Sequence, residues 1–164
     1  MEAARHATAA DVDSVASMVR QVTDELRVNR GGAVWSVREA HPEPVEGFVA
    51  EAITGPDRVV VVGTVDEVVV GYGMMAYETL HDGSVLAGIS DLYVDPTARC
   101  IGVGEAMMDL LEHDARAAGA IGLDSFVLPG DRASKNFFET FGLTARAILV
   151  HRSFDDTGPV PEST

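Results

Sequence analysis

Residues 91–104 read DLYVDPTARCIGVG, and the rest of the chain is understood by working outward from them. Leu92, Tyr93 and Val94 make a β-type run, Asp95-Pro96 breaks it, and helical spacing begins after Gly102, so the stretch joins a strand to a helix through a glycine-bearing loop. Glycines let backbone N–H groups approach an anion, and the following helix adds the positive end of its dipole. The loop therefore reads as a phosphate cradle. Many loops before helices carry two glycines, so its context must say which phosphate compound it holds.

Upstream lie three β-branched runs, RVVVVGT (58–64), VVVGYGMMAYETL (68–80) and SVLAGISDLYV (84–94), separated by the turn-like VDE and HDG. They predict an antiparallel meander. The runs are too continuously apolar for a sheet with one wet face, so helices should cover both sides. Before them, residues 5–7 read as a short strand. Thr8 and Asp11 then form a capping-box pattern ahead of a helix bearing Val12, Val15, Val19, Val22 and Leu26, which should end near Asn29. The stretch RGGAVWSVREAHPEP (30–44) reads as irregular. Pro44 opens a second helix, with Val45, Phe48, Val49, Ala52 and Ile53 on one side, stopped by Gly55 and Pro56.

Downstream of the loop, Met107, Leu111, Ala115 and Ala118 form a helical stripe closed by Gly119. A strand over 121–128, a helix over 131–140 stopped by Gly142, and a last strand over 144–154 (TARAILVHRSF) complete the pattern. The fold class is α/β (α+β): a mixed, mostly antiparallel central sheet flanked by helices on both faces. One domain over residues 1–154 accounts for the length of 164, and the polar, proline-containing tail 155–164 is expected to be disordered.

Hydrophobic residues make up 46% of the chain and charged residues 23%, the proportions of a globular protein. The 12 basic and 26 acidic side chains give a formal net charge of -14, which argues against nucleic acid as a partner and favours a neutral or cationic substrate. No apolar run spans a bilayer and MEAARHATAADVDS lacks a signal-peptide core, so no membrane association and a cytoplasmic location are expected. Cys100 is the one cysteine, which excludes an intrachain disulfide. His81 and His113 lack partners at metal-ligand spacing, and no metal site is expected.

The order β, α, α, β, β, β, α, β, α, β, together with the loop, resembles the GNAT family of N-acetyltransferases. Arg99, Gly102 and Gly104 match that family's Arg/Gln-x-x-Gly-x-Gly/Ala signature. DRASKNFFETFGL (131–143) looks like its late helix, and RHATAADVDSVA (5–16) like its first strand and helix. The resemblance covers almost the whole chain and implies the acyl-CoA N-acyltransferase fold, acetyl-CoA as co-substrate, and transfer of acetyl to a primary amine of a small molecule or protein. It also allows a homodimer.

By that resemblance the N–H groups of Cys100, Ile101, Gly102, Val103 and Gly104 bind the pyrophosphate with Arg99 nearby, and pantetheine pairs with Leu92, Tyr93 and Val94. Asp131 stands near a cofactor-touching asparagine of the family. Arg132 or Lys135, as basic side chains beside the cradle, could meet the 3′-phosphate or be ordinary solvated helix residues. Ser90 and Asp91 occupy the place of an acidic pair and are the candidate catalytic residues. Asp91 could act directly, through a water, or by holding the substrate ammonium. Phe138 replaces the tyrosine that the family uses as general acid toward the thiolate; it is counted with the cofactor site, yet it has no proton to give. Tyr72 or Tyr77 could substitute. The acceptor pocket is expected between residues 30–41, the second helix and the end of the last strand, with Trp35 as a wall or a core residue. These departures leave a second reading, a non-catalytic acyl-CoA-binding sensor or structural module, and a third, transfer of a longer acyl group.

Overall fold

The computed structural model describes residues 1–154; the expected tail, 155–164, lies outside the described residues. Five strands form one sheet in chain order: β1 (Glu2–His6), β2 (Arg58–Val65), β3 (Val68–Thr79), β4 (Val85–Val94) and β5 (Leu123–Ser125). The first four pair antiparallel, and β5 joins β4 in parallel. The helices are α1 (Val12–Arg27), α2 (Gly32–Arg38), α3 (Val45–Thr54), α4 (Val103–Ala117) and α5 (Arg132–Thr140).

Alternation along the strands divides the core in two. Val60, Val62, Tyr72 and Met74 meet Val15 and Val19 of α1 and Val49 of α3. Val61, Met75 and Ile89 point the other way, onto Met107, Met108 and Leu111 of α4 and Phe138 of α5. Helices thus cover both faces, as the apolar runs predict. Burial of each such side chain contributes about 1.5–3 kcal/mol, enough to fix which face every strand residue takes. Helix α4 sits very close to the sheet because β2 and β3 offer glycines beneath it. A Cβ at Gly63 would overlap a Val103 methyl and lie 3.0 Å from the Met107 sulfur.

The entry to α1 is tied by Asp11, which ends a short 3₁₀ turn over Ala9–Asp11. Its carboxylate accepts the Thr8 N–H at 2.8 Å and two Arg5 N–H groups at 2.7 and 2.9 Å. The Arg5 hydrogen bonds outweigh burial and, with those from Thr8, hold the Asp11 pKa down at about 2.

Three expectations change. Residues 30–44 are not irregular throughout, because Gly31 takes a φ of +82° and starts α2, a two-turn helix whose Trp35 is half-buried. Strand β5 is only Leu123–Ser125, since its ladder with β4 stops at Ile89↔Ser125. Residues 144–154 form no strand among the described residues. Their β-type composition expresses a tendency to pack on a pleated surface, and the adjoining edge offers three residues of β5 to pair with. Ile148, Leu149 and Val150 stay exposed, and an Arg146–Asp124 ion pair ties the segment to β5.

Candidate active site

The end of β4 and the start of α4 build the anion cradle. Asp95 accepts the Thr97 N–H at 2.9 Å, turning the chain through Pro96–Ala98. Cys100 and Gly102 take φ values of +65° and +95°, which reverse the backbone before α4. No side chain caps α4. The first intrahelical bond is Ala106 N–H to the Gly102 carbonyl at 3.0 Å, so the N–H groups of Val103, Gly104 and Glu105 have no helical acceptor and point out with the positive end of the dipole. At Gly104 the Phe137 ring lies 3.4 Å from where a Cβ would stand. Exposed Cys100 contributes through its backbone turn.

Arg99 lies beside this cradle but is held elsewhere. Its Nε donates to the Val94 carbonyl at 2.8 Å, its Nη2 donates to both Glu25 oxygens at 2.9 and 3.0 Å, and its guanidinium sits 5.4 Å from the Tyr93 ring centre. It clamps the loop to β4 and α1 with its charge balanced. The cradle's attraction for anions therefore comes mainly from backbone N–H groups.

From Ser90 to Val94 the outer edge of β4 has no strand partner among the described residues, because β5 stops opposite Ile89. An unpaired edge offers N–H and C=O groups to an extended ligand. Leu92 and Val94 pack toward α4, while Tyr93 turns to the α1 side and donates to Gln21 at 3.3 Å. At the head of this edge the β3–β4 register slips between Met74 and Met75, so Ser90 is an extra, bulged residue between Ile89 and Asp91. The bulge puts Asp91 on the α1/α3 face, paired with Met74 and beside Tyr72.

There Asp91 meets a residue that sequence reasoning missed. His41 Nε2 stands 2.8 Å from Asp91 Oδ1, and the Tyr72 hydroxyl donates to Oδ2 at 2.7 Å. His41 follows α2 and is held flat on Phe48 of α3, with ring centres 4.1 Å apart. Burial opposes the charge on Asp91, but hydrogen bonds from His41, Ser90 and Tyr72 and the charge of His41 outweigh it, so the carboxyl titrates below its ordinary value. Burial beside Asp91 pushes the Tyr72 phenol well above its usual range. No local pattern announces His41. It is a lone histidine in HPEP, fifty residues from its partner.

The late-helix candidates each have partners within the fold. Asp131 caps α5, accepting the Ser134 N–H at 3.2 Å and its hydroxyl at 2.6 Å. Lys135 pairs with Glu139 at 3.0 Å along the exposed side of α5. The Phe138 side chain is 7% exposed and belongs to the core under α4, where it packs the fold. Tyr72 is fully buried with its proton committed to Asp91, which removes it as a donor to a thiolate. Trp35 joins no aromatic pair among the described residues.

The acetyltransferase (GNAT) family model matches residues 22–143, from α1 through the cradle to the end of the late helix. The chain belongs to the GNAT family. Solved structures agree on the fold at low identity. A tetramutant of the BH1408 protein from Bacillus halodurans is 22% identical, with 92% of this chain and 99% of that one covered at a TM-score of 0.77. The ribosomal-protein-alanine N-acetyltransferase of Brucella melitensis biovar Abortus 2308 is 14% identical, covering 94% and 99% at 0.70. An aminoglycoside acetyltransferase from an uncultured soil metagenomic sample, solved with sisomicin, is 15% identical, covering 93% and 95% at 0.71. No curated protein sequence matches the chain.

GNAT proteins generally use an acyl-CoA, and the residues present fit one. The uncapped start of α4 suits the pyrophosphate, and the edge from Val94 to Ser90, which has no strand partner among the described residues, suits an extended arm leading to Asp91. Among the described residues, no group of three or more His, Cys, Asp or Glu side chains is placed to hold a metal, and no helix is long and apolar enough to cross a membrane.

Proposed function

We propose that this GNAT chain transfers acetyl from acetyl-CoA to a primary amine of a small molecule or a protein. The observation that carries the reading is the continuous track from the bare N-terminus of α4, along the unpaired edge of β4, to the bulge at Ser90 and Asp91. When bound, acetyl-CoA supplies the thioester carbonyl. The chain's own N–H groups at residues 100–104 hold the phosphates, Leu92–Val94 backbone groups orient the arm, and the bulge sets the height of the reacting centre. A net charge of -14 favours a cationic acceptor, such as a polyamine, an aminoglycoside or a protein amine. The cytoplasm is the proposed location.

The test is a panel of primary amines offered with acetyl-CoA while free thiol is followed with a chromogenic reagent. Thiol release that depends on one amine class, with the acetylated product seen by mass, supports the reading. Thermal stabilisation by acetyl-CoA without thiol release from any amine would instead point to a binding module.

A further inference from the structure

We infer that His41 is the general base that takes the proton from the acceptor ammonium, and that Asp91 is a positioning residue that orients it. The inference rests on the acetyl-transfer reading and deepens it. Asp91 is poorly placed to take the proton itself. One of its oxygens accepts from His41 and the other from Tyr72, and its side chain is only 10% exposed. A buried carboxylate held ionised by these donors is a weak base toward a substrate proton. The same contacts define the state of the imidazole. An ionised carboxylate cannot donate, so His41 Nε2 carries the hydrogen of the 2.8 Å contact, and in the neutral imidazole the lone pair lies on Nδ1.

Nδ1 is available. Every buried side-chain nitrogen or oxygen among the described residues has a hydrogen-bond partner, and His41 Nδ1 bonds none of those residues, so it reaches solvent. Its ring is fixed on one side by Phe48 at 4.1 Å and at its edge by Asp91, so little rotational freedom remains to be lost when an amine approaches. The position also suits the task, since Asp91 is the first β4 residue past the bulge, at the head of the unpaired edge. The charged or titratable groups tied to the imidazole are Asp91 on β4, the Tyr72 hydroxyl on β3 through Asp91, and Arg58 on β2, whose guanidinium lies 4.9 Å from the centre of the Phe48 ring that stacks on His41.

The proton account closes. An N–H bond of the ammonium breaks, its electron pair stays on nitrogen, and the proton passes to His41 Nδ1 and then to water. The freed pair forms the C–N bond as the C–S bond breaks, and the thiolate takes the second amine proton. General-base assistance typically contributes about 10² to 10⁴-fold, which sets the size of the loss expected on removing His41.

The experiment has a readout in the free protein and one in turnover. Nitrogen-detected NMR of the ligand-free chain should show His41 as the Nε2–H tautomer, and that preference should weaken in Asp91→Asn. In turnover with the best amine, His41→Ala should lose about a hundredfold or more in kcat, lose the acidic limb of the pH profile, keep wild-type acetyl-CoA affinity, and recover rate on addition of imidazole. Asp91→Asn should lower kcat while keeping that limb, as expected of a residue that orients the base without taking the proton itself. An Nδ1–H tautomer in the free protein would overturn the assignment. So would a His41→Ala enzyme that is folded, active at the wild-type rate and still limited at acid pH, or one that imidazole does not rescue. If the wild-type chain releases no thiol with any amine, the acetyl-transfer reading itself fails and the base assignment goes with it.

Discussion

At the scale of single residues, two aromatic side chains carry opposite lessons. Phe138 stands in sequence where the family uses a tyrosine, which invites the idea that a hydroxyl restored there would recover a general acid. The core position of Phe138 argues otherwise, since a Tyr oxygen would enter an apolar cluster. Phe138→Tyr is expected to destabilise the fold by about 1–3 kcal/mol without raising kcat, checked by urea denaturation alongside the thiol assay. Tyr72 is the reverse case, because its hydroxyl already has a use. Tyr72→Phe leaves Asp91 Oδ2 without a donor in a buried site and should cost about 1–3 kcal/mol. It should also raise the Asp91 pKa toward its ordinary value. A depressed carboxyl contributes stability above its unfolded value and loses it as pH falls through the folded one, so the difference between wild type and Tyr72→Phe should narrow in acid, as paired denaturation curves at pH 7 and pH 3 would show. Asp91 was legible in the sequence because it sits within a local motif, next to the cradle. His41 was not, because its role exists only where α2, α3 and β4 converge, and no spacing along the chain encodes that meeting.

At the scale of elements, the apolar periodicity of α1, α3, α4 and the long strands made them readable, since each buries one face or both. Helix α2 was hidden by its brevity and by Gly31 and Gly32, which read as a breaker; in fact Gly31 supplies the left-handed turn into the helix and Gly32 is its first residue. The last strand was overread for the complementary reason: local composition signals a strand, whereas a ladder also needs an edge, and β5 offers a short one. How α4 meets the sheet yields a prediction that sequence periodicity alone could not. Gly63→Ala should push α4 away from β2 and cost about 1–3 kcal/mol, with acetyl-CoA binding weakened because the cradle moves with the helix; calorimetric melting and a binding titration check both. The entry to α1 gives a second. Asp11→Asn removes the charged partner of Arg5, and since Arg5 is half exposed the loss should be about 1–2 kcal/mol at neutral pH. The Asp11 carboxyl is depressed from 3.8 to about 2, so its contribution is complete above about pH 4 and disappears as pH falls toward 2. Wild type and variant should therefore have unequal urea midpoints at pH 7 and nearly equal ones at pH 2.

At the scale of the whole molecule, the proposed function asks a chain of charge -14 to bind an anionic donor. On that reading the conflict is resolved by range. Attraction comes from N–H groups at the start of α4, within a few ångströms of any bound phosphate, while the nearby Arg99 and Lys135 are neutralised by Glu25 and Glu139. Repulsion comes from carboxylates spread over the surface and acts at longer distance. Salt separates the two, because a Debye length of about 10 Å at 0.1 M screens the distant charges and leaves the contact donors nearly untouched. Raising ionic strength from about 0.01 M to about 0.2 M should therefore speed association of acetyl-CoA and slow that of a cationic amine. Stopped-flow association of the donor, and kcat/KM for a polyamine measured across the same salt series, should give slopes of opposite sign. A donor site built on a net basic patch would lose affinity for acetyl-CoA with salt, and that result would transfer the main binding contribution from the helix terminus to side chains.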